Sequence, residues 1–132
     1  MRIVLVEPGK PARCAEIQDG LASMQETVGG CIQALYPWED PVAIICNDEG
    51  KLNRLPLNRM LGNYDIIAGT FFVCGIQGEN FASLNDQQLR KYQQMFRCPE
   101  KFIPTSQGLL CIKIRPLIDP EERSKRPPDY QR

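Results

Sequence analysis

Residues 40–75, DPVAIICNDEGKLNRLPLNRMLGNYDIIAGTFFVCG, decide the fold of this chain. The run opens on a short apolar stretch, VAIIC, bounded by Pro41 and by the Asn47-Asp48-Glu49-Gly50 turn cluster. A continuous apolar run of this length between turn signals reads as a buried strand. The chain then returns through polar residues and Leu55-Pro56-Leu57-Asn58-Arg59, and a second apolar run over 66–76 follows. The 47–50 cluster reads as a hairpin loop with Gly50 at positive φ, and residues 58–61 as a short turn. The 66–76 run reads as a central strand broken or kinked at Gly69.

Residues 2–7 form a β-branched run ended by Pro8-Gly9, and 13–17 return as its hairpin partner. Leu21, Met24, Gln25 and Val28 recur at helical spacing, so a helix is expected over 20–28, capped by Asp19 and stopped at Gly29-Gly30. Residues 31–36 read as a strand, joined to VAIIC by a loop whose two prolines flank Trp38. A longer helix is expected over 83–96, with Ser83 as cap and Asp86 three positions on. Its buried face is Leu84, Leu89, Tyr92, Met95 and Phe96. Residues 109–114, LLCIKI, form a last strand. The expected architecture is α+β: one domain over 1–115, with a mainly antiparallel sheet of five to seven strands and two helices. A charged, proline-rich tail over 116–132 is expected to be mobile.

Composition narrows the function. The 132 residues contain 16 Lys+Arg against 16 Asp+Glu, a balance that argues against a protein bound to duplex nucleic acid by charge. There is no histidine, which excludes Ser-His-Asp and Cys-His nucleophiles and His-containing zinc sites. Six cysteines are spread without a CxxC, and Cys31, Cys46, Cys74 and Cys111 stand in apolar runs. They are expected to be reduced, mostly buried thiols of a cytoplasmic protein. No apolar run is long enough to span a bilayer, and no membrane association is expected. No metal site or cofactor is expected either. The turn at Asn47 lacks the glutamate that a calcium loop needs at its twelfth position, where Asn58 stands. Gly29-Gly30 and the glycines at 75 and 78 lack phosphate-loop spacing.

Several side chains are candidates for recognition. Asn58 and Arg59 would present an amide beside a forked cation that can hold a carboxylate or phosphate. The competing structural account has Asn58 capping a short helix and Arg59 paired with Asp65 or Glu49. Asn47, Glu49, Tyr64 and Asp65 complete the expected ligand site. Trp38, on its proline-braced loop, is the expected interface residue.

The motifs VEPGK (6–10), VGG (28–30), DPVAIICNDEGKL (40–52), LPLNR (55–59) and YDIIAGTFF (64–72), in this order, resemble a small domain family of phages, plasmids and conjugative elements of Gram-positive bacteria. The resemblance covers residues 3–96. It implies an accessory protein of a mobile element, acting in the host-cell cytoplasm against host defence. Of three functions, the first expected is non-enzymatic sequestration of a small nucleotide-like ligand such as an immune signal. The second is a protein-protein inhibitor of a host defence or restriction enzyme, docking through Trp38. The third is a small nucleotide hydrolase or phosphodiesterase driven by carboxylates. The partner is accordingly a nucleotide-like molecule or a host defence protein, and homo-oligomerisation stays open.

Overall fold

The structure is a computed structural model that describes residues 1–62 and 65–116. Tyr64 and the tail from residue 117 on lie outside the described residues. The apolar runs become the centre of a sheet. β1 (Arg2–Val6), β2 (Arg13–Glu16), β3 (Ile32–Leu35) and β4 (Val42–Asn47) fall where the sequence places strands. β5 (Leu57–Leu61) and β6 (Asp65–Ala68) form a separate ribbon, while β7 (Phe71–Gln77) lies in the main sheet and pairs with the short β8 (Asn80–Ala82). β9 (Glu100–Thr105) and β10 (Gly108–Lys113) make a second ribbon. The main sheet has six strands in the order β2-β1-β7-β4-β3 with β8 beside β7, and every described pairing is antiparallel.

The two helices cover opposite faces. β4 is buried along its whole length because its alternate side chains serve different cores. On one face Ile3, Ala43, Ile45, Phe72 and Cys74 pack with Met24 and Val28 of α1 (Leu21–Val28). On the other Val4, Val6, Val42, Ile44, Phe71 and Val73 meet Leu89 and Tyr92 of α2 (Asp86–Met95), together with Phe96 and the ribbon's Leu61 and Ile67. Both-face burial explains why the central strands read as unbroken apolar runs rather than as alternation. No helix among the described residues is long and apolar enough to cross a membrane.

The α+β architecture agrees with the sequence, but several local expectations do not. The 47–50 turn does not open a hairpin. Residues 47–54 coil through successive turns closed by Asn53 N–H to the Glu49 carbonyl (2.8 Å) and Leu55 N–H to the Gly50 carbonyl (2.9 Å). Gly50 is needed for a close approach, since a Cβ there would stand 2.6 Å from the Ala68 carbonyl; the positive φ belongs to Arg54 (57°). The 66–76 run does break at Gly69 (φ +83°), as expected, but into strands of two different sheets rather than within one central strand. Helix α1 begins after Gly20 without a side-chain cap, and Asp19 instead lies 3.5 Å from the amino group of Met1. Gly29 ends α1 in the left-handed conformation, as expected. Asn85, not Ser83, caps α2. The cysteines are free, but only Cys46 and Cys74 are buried; Cys14 and Cys31 are exposed and Cys98 and Cys111 half-buried.

Candidate functional site

The coiled 47–54 segment lies against β6, and between them and the ends of β3 and β4 opens a groove of about 560 Å³. Its wall is Leu35, Ile66, Ile67 and Ala68; its polar groups are Gln33, Asn47, Asp48, Glu49, Lys51 and Asp65. Of the residues expected from sequence, the structure brings Asn47, Glu49 and Asp65 together here. Glu49 is exposed. Asn47 is buried and already engaged: its Nδ2 donates to the Val28 carbonyl (3.2 Å) and its Oδ1 accepts from Glu49 N–H (2.8 Å). It ties the end of α1 to the turn that lines the groove. Asp65 accepts from Lys51 Nζ at 2.5 Å and from Ile66 N–H at 2.8 Å, and the lysine holds its carboxyl below the ordinary range.

The groove is electronegative. Asp48, Glu49 and Asp65 line it against a single basic residue, Lys51, among the described lining residues. Cys46 at its base registers this field: burial first, then the charges of Asp48 and Asp65, push its thiol up to about 11. Asp48, Lys51 and Gln33 also line the groove, and nothing in the linear sequence marks them as site residues. Lys51 and Asp65 become partners only through the coil of the 47–54 segment.

Asn58 and Arg59 do not reach the groove, which corrects their expected place in it. They do not sit on a turn or short helix but on β5, where the register slips between Leu57 and Arg59 and leaves Asn58 as the extra residue of a bulge. A regular strand sends neighbouring side chains to opposite faces; the bulge re-aims them, so that both are buried. Asn58 Nδ2 donates to the carbonyls of Val6 (2.9 Å) and Gly69 (2.8 Å), stitching the ribbon to the main sheet. Arg59 donates to the Phe96, Lys10 and Asn58 carbonyls and to Asn58 Oδ1. Neither Asp65 nor Glu49 is its partner, and among the described residues it forms no ion pair. Burial lowers its pKa, opposed by the charge of Glu100.

Trp38 is half-buried rather than displayed. Its ring lies 4.9 Å from Tyr92 and 6.2 Å from Phe96, centroid to centroid, and it packs on the α2 side of the core. Beside it Asp40 accepts from Tyr92 Oη (2.6 Å) and Lys91 Nζ (2.5 Å), closing the proline-flanked loop onto α2. No cluster of three or more Cys, Asp or Glu able to hold a metal ion occurs among the described residues.

No curated protein and no solved structure matches the chain. A family model does, over residues 1–97, a span that includes both walls of the groove and the Asn58-Arg59 bulge; the chain belongs to that family, the domain of unknown function DUF3846.

Proposed function

We propose that this protein binds a small nucleotide-like ligand without transforming it, engaging base and ribose in the groove beneath the 47–54 coil. The carrying observation is the groove's composition. Its volume falls within the range of small-molecule sites. An aliphatic wall accepts a flat ring, and the lip carboxylates accept hydrogen bonds from exocyclic amines and sugar hydroxyls. The same charges repel a phosphate, and Lys51 is already held by Asp65. The reading therefore narrows to a nucleoside, or to a nucleotide whose phosphates point to solvent. The motif resemblance supports a setting in a phage or other mobile element, where retention of such a molecule would deprive a host immune system of its signal.

Calorimetric titration with adenosine, guanosine and cytidine beside their 5′-monophosphates tests this. At least one nucleoside should bind, and bind more tightly than its monophosphate. Glu49→Gln and Asp48→Asn should weaken that binding while leaving the melting temperature unchanged, because both side chains are exposed. Absence of binding by every nucleoside and nucleotide, or binding indifferent to both substitutions, would overturn the reading.

A further inference from the structure

The hairpin of β9 and β10 lies beyond the family match, which ends at residue 97. Its outer strand is unlike the edges β2 and β3 of the main sheet. Edge strand β2 carries Arg13 and Glu16, and β3 has four residues; short or charged edges resist pairing with another chain. β10 has six residues, GLLCIK, with one charge, and pairs only with β9 among the described residues. Leu109, Leu110, Ile112 and Ile114 are each between 42% and 51% exposed.

The direction of its backbone groups follows from the register. Thr105 and Gly108 flank a two-residue loop and form the first hydrogen-bonded pair, and the pattern alternates from there. Leu109 then faces Pro104 in a non-hydrogen-bonded pair, where a residue without N–H is tolerated. Ile114 N–H donates to the Pro99 carbonyl at 2.7 Å, in phase with the same alternation. Gly108, Leu110 and Ile112 thus bond inward. The N–H and C=O groups of Leu109, Cys111 and Lys113 point away from β9, along an edge that pairs with no other strand among the described residues.

We propose that this edge pairs antiparallel with β10 of a second copy, joining two hairpins into a four-stranded sheet across a two-fold axis at Cys111. The chain's own continuation is a poor occupant, since residues 117–132 carry Pro120, Pro127, Pro128 and many charges. A second copy is complementary. Centring on Cys111 pairs the strand over its length and sets Leu110 against the partner's Ile112. Lys113 falls opposite the partner's Leu109, which its aliphatic stem covers. The two lysines are then four strand positions apart, about 13 Å, beyond the screening length at physiological salt. Centring on Lys113 would oppose like charges, and centring on Leu109 would run into the hairpin loop. The apolar patch is small, which places the contact in the weak, concentration-dependent class of interfaces.

Sedimentation of the full chain across roughly micromolar to hundreds-of-micromolar concentrations should show a monomer–dimer equilibrium. Leu110→Glu and Ile112→Glu, at exposed positions, should each leave the circular dichroism spectrum intact and remove the dimer. Paired residues at such a position lie about 5.5 Å apart between Cα atoms, within disulfide reach. Diamide, which takes up the two hydrogens and two electrons released, should therefore give wild-type protein a reducible Cys111–Cys111 dimer. Cys111→Ser should lose it; Cys14→Ser and Cys31→Ser should keep it. A wild-type monomer at every concentration, a dimer that survives both glutamate variants, or cross-linking through Cys14 or Cys31 would overturn the proposal.

Discussion

The Arg59 guanidinium closes the end of helix α2 by donating to the Phe96 carbonyl, from Nη2 at 2.9 Å and from Nε at 3.3 Å. The last carbonyls of a helix lack intrahelical partners and carry the negative end of its dipole, so a cation there is favourable. Arg59 also reaches Lys10 in the β1–β2 turn and Asn58 beside it. One side chain thus joins the bulged ribbon, the first hairpin and α2. Its positive charge is met by hydrogen bonds to carbonyls, with the Glu100 carboxylate acting on it through charge and not as a bonded partner.

Arg59→Ala should be strongly destabilising, on the order of 3–5 kcal/mol, because it leaves a cavity and several buried acceptors unmatched. Arg59→Lys should lose less, since it keeps the charge but cannot span carbonyls on three segments. Urea denaturation of the two variants checks this. An alanine variant as stable as the wild type would mean that Arg59 does not hold the junction.

The sequence was most legible where apolar runs made the sheet, and least where polar residues were buried. The strands at Ile3, Ile44 and Phe72 and the stripe of Leu89, Tyr92 and Phe96, all buried, showed themselves by apolar pattern alone. β5 did not, because Asn58 and Arg59 look like loop residues until a bulge and four distant carbonyls are supplied. β8 has only three residues, and β9 carries Pro104. At the site, the turn chemistry around Asn47 was visible. The partnership of Lys51 with Asp65 was not, being made by the coil between them.

Helix α2 offers a local test of the same point. Asn85 Oδ1 accepts from Gln88 N–H (2.8 Å) while Gln88 Oε1 accepts from Asn85 N–H (3.0 Å), a reciprocal capping box. Ser83 instead accepts from the Arg2 amide at 2.8 Å and anchors β1. Asn85→Ala should cost about 1 kcal/mol in chemical denaturation, and Asn85→Asp much less. Equal losses in the two variants would show that the cap is not what the side chain contributes.

Thiol accessibility should divide the six cysteines. Cys14 and Cys31 are exposed and should react with an aromatic disulfide reagent first. Cys46 and Cys74 are buried, and burial pushes their thiols up to about 11 and about 12, so they should stay protected in the native protein. Unfolding without reductant should expose all six. Rapid native reaction of five or more would contradict the described burial of Cys46 and Cys74.

Stability should be flat through neutral pH and fall at both extremes. Asp40 is held below its ordinary value near 3.8, first by the Lys91 hydrogen bond and then by that of Tyr92; Asp65 is lowered chiefly by Lys51. Carboxyls lowered in the folded state contribute stability present above pH 3.8 and lost as pH falls through their folded values. Tyr92 runs the other way. Burial, then Asp40, raises its hydroxyl above the ordinary 10.0, so its contribution is present below pH 10.0 and lost as pH rises further. Cys46 and Cys74 add to the alkaline loss from pH 9.0 upward. Melting temperature followed against pH should therefore drop below pH 3.8 and above pH 9.0. Asp40→Asn should make the acid limb shallower, because one of the lowered carboxyls is gone. Tyr92→Phe should leave an alkaline limb carried by the two buried thiols. An acid limb unchanged in Asp40→Asn would show that the clasp between Asp40 and α2 does not contribute to folding.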